Sequence, residues 1–168
     1  MKRCRTAVVV ATALALAAPL GATGEVGKTP LSIRTVVEGN LLGSGTGRGT
    51  FTLDLGSSSD AGKLTLKYSY GGGLRRAADG QYFRPVGRTE TLRGKHGTLV
   101  IRSVGRQFPV GVLKEDDEVW TGTWSIVRGT GRYVGLTGGG GLAGIIQISG
   151  HGLTSNYSTR YEGLVSRA

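Results

Sequence analysis

Residues 118–148 read EVWTGTWSIVRGTGRYVGLTGGGGLAGIIQI, and this stretch decides the fold that the sequence predicts. Residues 119–127 form an extended run that contains two tryptophans. Because successive side chains of a strand point to opposite faces, Trp120 and Trp124 share one face and the threonines between them share the other. The pattern predicts a strand with one large aromatic surface, which either packs a core or forms one wall of a ligand cavity.

Glycines recur through the rest of this stretch. Gly129 and Gly131 predict a turn, because glycine adopts a positive φ without steric cost. The four consecutive glycines at 138–141 predict a bulge or a close approach of two backbones before a second strand at 142–148. The spacing of Gly129, Gly131 and Gly135 matches neither the G-x-G-x-x-G fingerprint nor a P-loop, so it argues against a nucleotide site.

The N-terminal residues 1–24 read as a secretory signal peptide. A basic segment at residues 1–5 precedes an apolar segment at 7–20 and then small residues. The apolar segment is shorter than the roughly 20 residues of a membrane-spanning helix, and no later segment is a better candidate. We therefore expect a secreted protein whose folded part is 25–168. Cys4 lies in the leader, so that part contains no cysteine.

Charge and length limit the classes of partner. Removing the leader takes the formal charge from +10 to +7. The remaining basic residues are scattered and aromatic residues do not alternate with them, so we expect no nucleic-acid partner. General attraction to a cell wall or membrane surface stays open, as does homo-oligomer formation. A chain of about 145 residues can bury on the order of 68–70% of its unfolded surface as a single domain.

Period-two alternation recurs along the whole chain. It predicts eight strands, with turns at 43–47 and 94–97, a polar loop at 56–60, and Pro85 marking an edge, a bulge or a late strand start. No amphipathic helix is predicted. Many short strands indicate a barrel or a sandwich, and a barrel of about eight strands is either filled or holds one small ligand. The predicted strands are 31–38, 50–55, 63–70, 82–92, 98–103, 119–127, 142–148 and 157–165.

Two quoted segments carry a resemblance to a known family. WTGTW at 120–124, followed by RGTGRYVGL at 128–136 and the glycine run, resembles the barrel family typified by allene oxide cyclase and the plant dirigent proteins. The resemblance is specific over 119–144 and is greater to bacterial members than to plant enzymes. It implies an all-β fold: a single eight-stranded antiparallel β-barrel with an apolar lumen, often oligomeric.

The resemblance implies two kinds of activity. Plant members steer a reactive oxylipin or a radical coupling with polar lumen residues, which do not align with this sequence position by position. A cyclase that relies on a thiol is excluded in the mature chain, because the single cysteine lies in the leader. Bacterial polyketide cyclases of this type act in the cytosol, and the predicted leader argues against that role.

Glu90 is the candidate catalytic residue. It shares a strand face with Val86 and Leu92, so it can project into the lumen. A buried carboxyl group has a raised pKa and can act as a general acid or base. The alternative is a surface salt bridge, because Arg88 lies on the same face.

The remaining acidic residues, histidines and serines do not form a recognisable metal-binding or catalytic motif. The acidic run at 115–118 has the oxygen ligands that Ca²⁺ prefers, but it lacks the spacing and the glycine of an EF-hand loop, and we expect a solvated loop. His96 and His151 are isolated next to glycines in predicted turns. No Gly-x-Ser-x-Gly elbow is present. We expect neither a metal nor a cofactor.

Three hypotheses for function follow. The first is a secreted, non-catalytic barrel that binds a small apolar molecule in its lumen. The second is a cyclase- or dirigent-like isomerase that uses the same lumen, with Glu90 as the acid. The third is a structural or cell-surface interaction protein with a filled barrel. The predicted lining residues are Phe51, Leu53, Leu64, Leu66, Tyr68, Leu99, Ile101, Trp120 and Trp124.

Overall fold

The computed structural model describes residues 27–39, 45–109, 118–149 and 154–168. These residues form nine strands and one 3-10 turn at Gly131–Tyr133. None of the described residues forms a helix long and apolar enough to cross a membrane. The predicted leader and His151 lie outside the described ranges. The strands are β1 Thr29–Gly39, β2 Gly45–Leu55, β3 Ser58–Tyr70, β4 Arg75–Arg76, β5 Tyr82–Gly94, β6 Gly97–Pro109, β7 Glu118–Gly129, β8 Leu136–Ser149 and β9 Thr154–Arg167.

Eight of these strands close into an antiparallel barrel. The order around it is β3-β2-β1-β9-β8-β7-β6-β5, and pairing of β3 with β5 closes the circle. The short strand β4 pairs with the first two residues of β5, Tyr82 and Phe83, and lies outside the barrel. The first and last strands are neighbours, with Ile33 opposite Tyr161. The predicted eight-stranded antiparallel barrel is therefore confirmed, with one additional strand.

Side-chain alternation explains why these segments form barrel strands. On β3, Leu64, Leu66 and Tyr68 are buried, while Thr65 and Lys67 between them are exposed. Such alternation recurs around the barrel, so about one residue in two points into the interior. It is interrupted on β6, where the register with β7 shifts between Val100 and Ile101 and both residues are buried. A continuous cluster of apolar and aromatic side chains fills much of that interior. Burial of this cluster is the main term that stabilises the barrel.

The two ends of the barrel differ in their connections. At one end, here called the turn end, β2 connects to β3, β5 to β6 and β7 to β8 by segments of two, two and six residues. At the other, here called the loop end, the connections are 40–44, 71–81, 110–117 and 150–153. Of these, the structure describes 71–81.

Several sequence-based boundaries were wrong. The predicted polar loop at 56–60 is a two-residue turn at Gly56 and Ser57, and β3 already begins at Ser58. Gly56 adopts a φ of 59° there, which lets the chain reverse tightly. Residues 45–47 of the predicted 43–47 turn belong to β2. β8 begins at Leu136 rather than at 142, so the glycine run lies inside a strand.

Other local predictions are confirmed. Lys95 and His96 form the two-residue turn predicted between β5 and β6. Pro85 was predicted to mark an edge, a bulge or a late strand start. The strand begins before it, at Tyr82, so the late start is wrong. Pro85 pairs with Arg106 of β6, but pairing with β3 begins only at Val86, so Pro85 lies where β5 is an edge on that side. A proline has no N–H to donate to a neighbouring strand. Pro85 is tolerated because it lies outside the hydrogen-bonded pairing of β5 with β3. Its carbonyl oxygen still accepts a hydrogen bond from the Gly71 N–H at 2.9 Å.

The glycine-rich strand β8 receives the two tryptophans of β7. Trp120 lies opposite Gly144 and Trp124 lies opposite Gly140. A Cβ atom on Gly144 would lie 2.5 Å from Nε1 of Trp120, so glycine is required for the indole to lie flat against β8. The Trp120 N–H donates to the Thr159 hydroxyl at 3.1 Å. The predicted close approach of backbones at the glycine run is confirmed at residues 138–140, where a Cβ atom would lie 2.0–2.3 Å from a backbone carbonyl oxygen of β7 or β9. The indole of Trp120 occupies the corresponding space at Gly144, beyond the run.

A hydrogen-bonded plug closes the turn end. The Asp60 carboxylate accepts hydrogen bonds from the backbone N–H groups of Ala61, Lys95 and His96 at 2.8–3.2 Å, and from the Tyr133 hydroxyl at 2.6 Å. Burial alone would raise the pKa of Asp60. The hydrogen bonds, led by that of Tyr133, outweigh it and hold the pKa below its ordinary value.

Removing the Tyr133 hydroxyl should weaken this plug. Tyr133→Phe is expected to lower the free energy of unfolding by about 1–2 kcal/mol at pH 7, because a hydrogen bond to a charged group is lost. A depressed folded-state pKa gives stability that is present above the unfolded value of about 3.9 and is lost as pH falls through the folded value. The difference between variant and wild type should therefore shrink below about pH 4 in urea titrations.

Tyr82→Phe is the matched control, since Tyr82 is exposed and distant from Asp60 in the fold. A Tyr133→Phe effect that stays constant from pH 7 to pH 3 would contradict this role of the Asp60 charge.

Candidate functional site

All nine predicted lining residues point into the barrel and are buried. The most exposed of them, Tyr68, is only 5% exposed. The apolar members pack in the half of the barrel nearest the turn end, around Leu53, Leu64 and Leu99. The assignment of strand faces from alternation is therefore correct. The interior is not uniformly apolar, however, because polar side chains gather between the middle of the barrel and the loop end.

We call this group the lumen cluster and define it by six residues. They come from four strands and are all at most 5% exposed. Cross-strand register brings Tyr68 of β3 and Ser103 of β6 to either side of Arg88 on β5. Alternation on β9 adds two further tyrosines. The members are Tyr68, Arg88, Glu90, Ser103, Tyr157 and Tyr161.

Arg88 is the central cation of the lumen cluster. It is 3% exposed, and its guanidinium lies 3.6 Å from the centre of the Trp120 ring and 5.0 Å from that of Tyr157. Such cation–π contacts stabilise a desolvated cation. Burial nevertheless lowers the pKa of Arg88, because the charged form has lost its hydration. Arg88 forms no ion pair with another described residue.

Glu90 lies next to Arg88 on the same strand face and is 1% exposed. The Tyr161 hydroxyl donates a hydrogen bond to its Oε1 atom. Burial raises the pKa of Glu90, and this effect exceeds the opposing effects of Tyr161 and Arg88. Burial, followed by the neighbouring Glu90 charge, raises the pKa of Tyr161 well above its ordinary value. The pair is a buried carboxyl group, with its pKa raised by burial, that accepts a hydrogen bond from a phenol.

The alternative interpretation of Glu90 was wrong. Arg88 and Glu90 do share a face, as predicted, but that face is interior and the two do not form the surface salt bridge. Isolated charged residues are almost never fully buried, which is why a surface salt bridge was the alternative to the predicted lumen position of Glu90.

A second carboxyl group lies nearer the loop end. Glu118 begins β7 and is half-buried, and the Gln107 amide donates a hydrogen bond to it. Burial raises the pKa of Glu118, opposed by that hydrogen bond. Residues 115–117, the rest of the predicted acidic loop, lie outside the described ranges. Within those ranges no group of three or more His, Cys, Asp or Glu residues could hold a metal ion.

Buried polar atoms without partners distinguish this half of the barrel. Folded proteins pair the large majority of buried polar side-chain atoms, so each exception requires an explanation. Here seven such atoms, all on inward-facing side chains, have no partner at hydrogen-bond distance and angle within the described part of the chain. They are Thr35 Oγ1, Tyr68 Oη, Arg88 Nε, Glu90 Oε2, Ser103 Oγ, Gln107 Oε1 and Tyr157 Oη. Two pairs of side chains nevertheless lie close together, Tyr68 with Tyr157 and Ser103 with Tyr161.

The outer surface carries separate features. Depressions of about 410–670 Å³ lie against β2–β9, lined mainly by outward-facing side chains such as Lys67, Arg102 and Thr121. These depressions are shallow and shared between neighbouring strands of a convex wall. Trp120 and Trp124 line none of these four depressions. Some inward-facing residues do contribute to them, among these Tyr68, Arg88, Ser103 and Leu64.

Sequence reasoning missed most of the lumen cluster. Tyr157 and Tyr161 were placed on one face of the last strand but not on the lumen list, and Ser103 was not considered. The available signal was alternation: Arg88 lies two residues from Glu90, and Ser103 lies two residues from Ile101. No protein-family model, curated protein or solved structure matches this chain.

Proposed function

We propose that this protein is a secreted, non-catalytic β-barrel that binds a small molecule in its lumen. The observation that carries the proposal is the group of seven buried polar atoms without partners, all on inward-facing side chains. A buried polar group left unpaired costs about 1–3 kcal/mol. A ligand that supplies hydrogen bonds to several of them would offset that cost.

The shape of the interior limits how the ligand lies. The turn end is closed by the Asp60 plug and by packed apolar side chains. The ligand therefore enters from the loop end and contacts Tyr68, Tyr157 and Trp120 with its apolar body. This arrangement keeps the small apolar molecule expected from sequence and adds a polar group that meets the lumen cluster. Pockets of this kind combine an apolar wall with a few convergent polar groups.

We propose that the protein is a bacterial, secreted member of the allene oxide cyclase and dirigent-like barrel family. The closed eight-stranded antiparallel barrel and the sequence segments at 120–124 and 128–136 support it. The apolar, basic-flanked segment at the N-terminus supports secretion.

Native mass spectrometry tests the proposal. The protein is recovered from the medium of its own source cells and measured without denaturation. We expect a reproducible added mass of a few hundred daltons, on the order of a pocket-sized guest. A bare protein mass, together with no binding of any member of a small-molecule panel, would favour the third hypothesis of a filled structural barrel. The same spectrum reports the oligomeric state.

One observation favours a second candidate function. Glu90 is a buried carboxyl group with a raised pKa and a hydrogen-bonded tyrosine, which is the usual state of a general acid. A cyclase- or dirigent-like isomerase would use Glu90 to exchange a proton with a substrate that is apolar elsewhere.

Glu90→Gln separates the two functions. The amide oxygen still accepts the Tyr161 hydrogen bond, so a binding protein should retain its affinity for the recovered ligand. An acid catalyst should lose roughly 10²–10⁴-fold in turnover. Turnover is measured by incubating each variant with a source-cell extract and analysing the products by chromatography and mass spectrometry. Glu162→Gln on the outer face of β9 is the control.

The same variant has a stability readout. Burial raises the pKa of Glu90 in the folded protein above its value in the unfolded chain, which is about 4.3. The free energy of unfolding should therefore fall as pH rises from that unfolded pKa through the folded pKa. Glu90→Gln should remove this slope in urea titrations across that range. An unchanged slope would show that Glu90 does not carry a raised pKa.

A further inference from the structure

The strongest unexplained charge in the described part of the chain is the Arg88 guanidinium. A guanidinium stays protonated in proteins, so burial cannot neutralise it as it can neutralise a carboxyl group. An isolated buried charge is costly unless a counter-charge and hydrogen bonds accompany it. The rings of Trp120 and Tyr157 supply part of the compensation through their faces. They accept no conventional hydrogen bond from the Nε–H group, which has no partner.

Glu90 does not complete the pair. Its Oε1 atom is already bound by Tyr161, and its Oε2 atom has no partner. The two residues lie close along β5, yet no oxygen of Glu90 comes within 4.0 Å of the Arg88 nitrogens. Burial also favours the neutral form of Glu90. The guanidinium therefore remains without an anionic partner among the described residues.

Three hydroxyl groups that can donate a hydrogen bond surround Arg88. Tyr68 and Ser103 are its register partners on β3 and β6, and Tyr157 lies beneath its guanidinium. None of the three hydroxyls has a partner at hydrogen-bond distance and angle among the described residues, although Tyr68 lies near Tyr157 and Ser103 lies near Tyr161. A cation surrounded by hydroxyl groups matches an anion rich in acceptor oxygens, and a carboxylate presents two such oxygens to a guanidinium.

We infer that the lumen cluster is a site for a small organic acid, whose carboxylate pairs with Arg88 and accepts hydrogen bonds from the surrounding hydroxyls. The apolar body of the acid lies toward the loop end, against the aromatic side chains, because core residues fill the turn end. This inference rests on the proposed function, since both require a ligand in the lumen, and it adds the chemical class of that ligand.

The test compares matched acids and amides. Benzoate, cyclohexanecarboxylate and hexanoate are each titrated beside their primary amides, which have similar shapes and no charge. Isothermal calorimetry measures affinity, and tryptophan fluorescence reports on Trp120 beside Arg88. We expect at least one acid to bind on the order of tenfold or more tightly than its amide, as a charge-assisted hydrogen bond implies.

Arg88→Met removes the charge and keeps an unbranched side chain. We expect the preference for acid over amide to disappear. The ligand-free variant should be as stable as the wild type or more stable, because a buried charge without an ionic partner has been removed. Arg102→Met is the control, since Arg102 lies on the outer face of β6, and it should leave both affinity and preference unchanged.

Each other outcome has a stated meaning. Equal binding of acids and amides, or recovery of an uncharged ligand by native mass spectrometry, would overturn the organic-acid site and leave the proposed function intact. Chloride or phosphate that binds as tightly as the best acid would also overturn it. A large loss of stability in ligand-free Arg88→Met would show that the protein itself satisfies the guanidinium. No binding of any probe, with a bare native mass, would overturn the proposed function as well.

Discussion

Trp120→Ala is expected to lower the free energy of unfolding by about 3–5 kcal/mol. Trp120 is fully buried, and its indole packs flat against Gly144 of the neighbouring strand. Alanine would leave a large cavity in a closed barrel, whose paired strands cannot collapse around it. The change would also remove the hydrogen bond to Thr159 and the ring beneath the Arg88 guanidinium. Urea denaturation followed by far-ultraviolet circular dichroism measures the effect.

Two companion variants keep the Trp120 prediction testable even where the alanine variant does not fold. Trp120→Phe retains a ring against Gly144 but loses the N–H, so it should cost less than the alanine change. Thr121→Ala lies on the outward side of the same strand and should stay within about 0.5 kcal/mol of wild type. A cost for Trp120→Ala close to that of Thr121→Ala would show that Trp120 is not part of the core.

Gly144→Ala is expected to cost about 1–3 kcal/mol, which is typical of overpacking in a filled interior. The new Cβ atom would lie 2.5 Å from the Trp120 Nε1 atom and 2.7 Å from the Ser158 carbonyl oxygen. The second of these is backbone held by the β8–β9 ladder, so it cannot move aside easily. Thermal and urea unfolding should both report the loss.

Gly141→Ala is the matched control for Gly144→Ala. Gly141 lies in the same strand, and a Cβ atom there would meet nothing within 4 Å. Alanine also loses less backbone entropy than glycine on folding, so this change should be neutral or stabilising by a few tenths of a kcal/mol. Equal effects at the two positions would mean that the Trp120 contact does not determine which residues β8 tolerates.

The strands of the barrel were predictable because alternation is a local property. Lys63 to Tyr70 on β3 and Trp120 to Ile126 on β7 each reveal which residues share a face, whatever lies across the sheet. A two-residue turn such as Lys95 and His96 is also a local signal, since short glycine-flanked connections join antiparallel strands. Such signals establish the strands, their faces and the all-β class. They leave a barrel and a sandwich open, and the closing pair β3–β5 that decides between the two joins strands separated by a long connection.

The lumen cluster was less predictable because it depends on register. Arg88 meets Trp120, and Glu90 meets Tyr161, across separations of 32 and 71 residues. No local pattern records which residues of distant strands become neighbours. The polar side chains also contradict the average tendency of charged residues to lie outside. The glycine run was ambiguous for a related reason, because a glycine that makes room for a neighbouring strand's backbone looks in sequence like a glycine in a turn.

The pairing of β1 with β9 has a consequence for the order of assembly. Strand β1 needs both β2 and β9 as partners, and β9 follows all the other described strands in the sequence. Until β9 pairs, β1 and β8 each present an unpaired edge, which invites pairing with other chains. The same strand delivers Tyr157 and Tyr161, so the lumen cluster can form only when β9 has joined the sheet. Contacts between residues far apart in sequence also slow folding. Closure of the barrel and assembly of its polar interior are therefore the same step of folding.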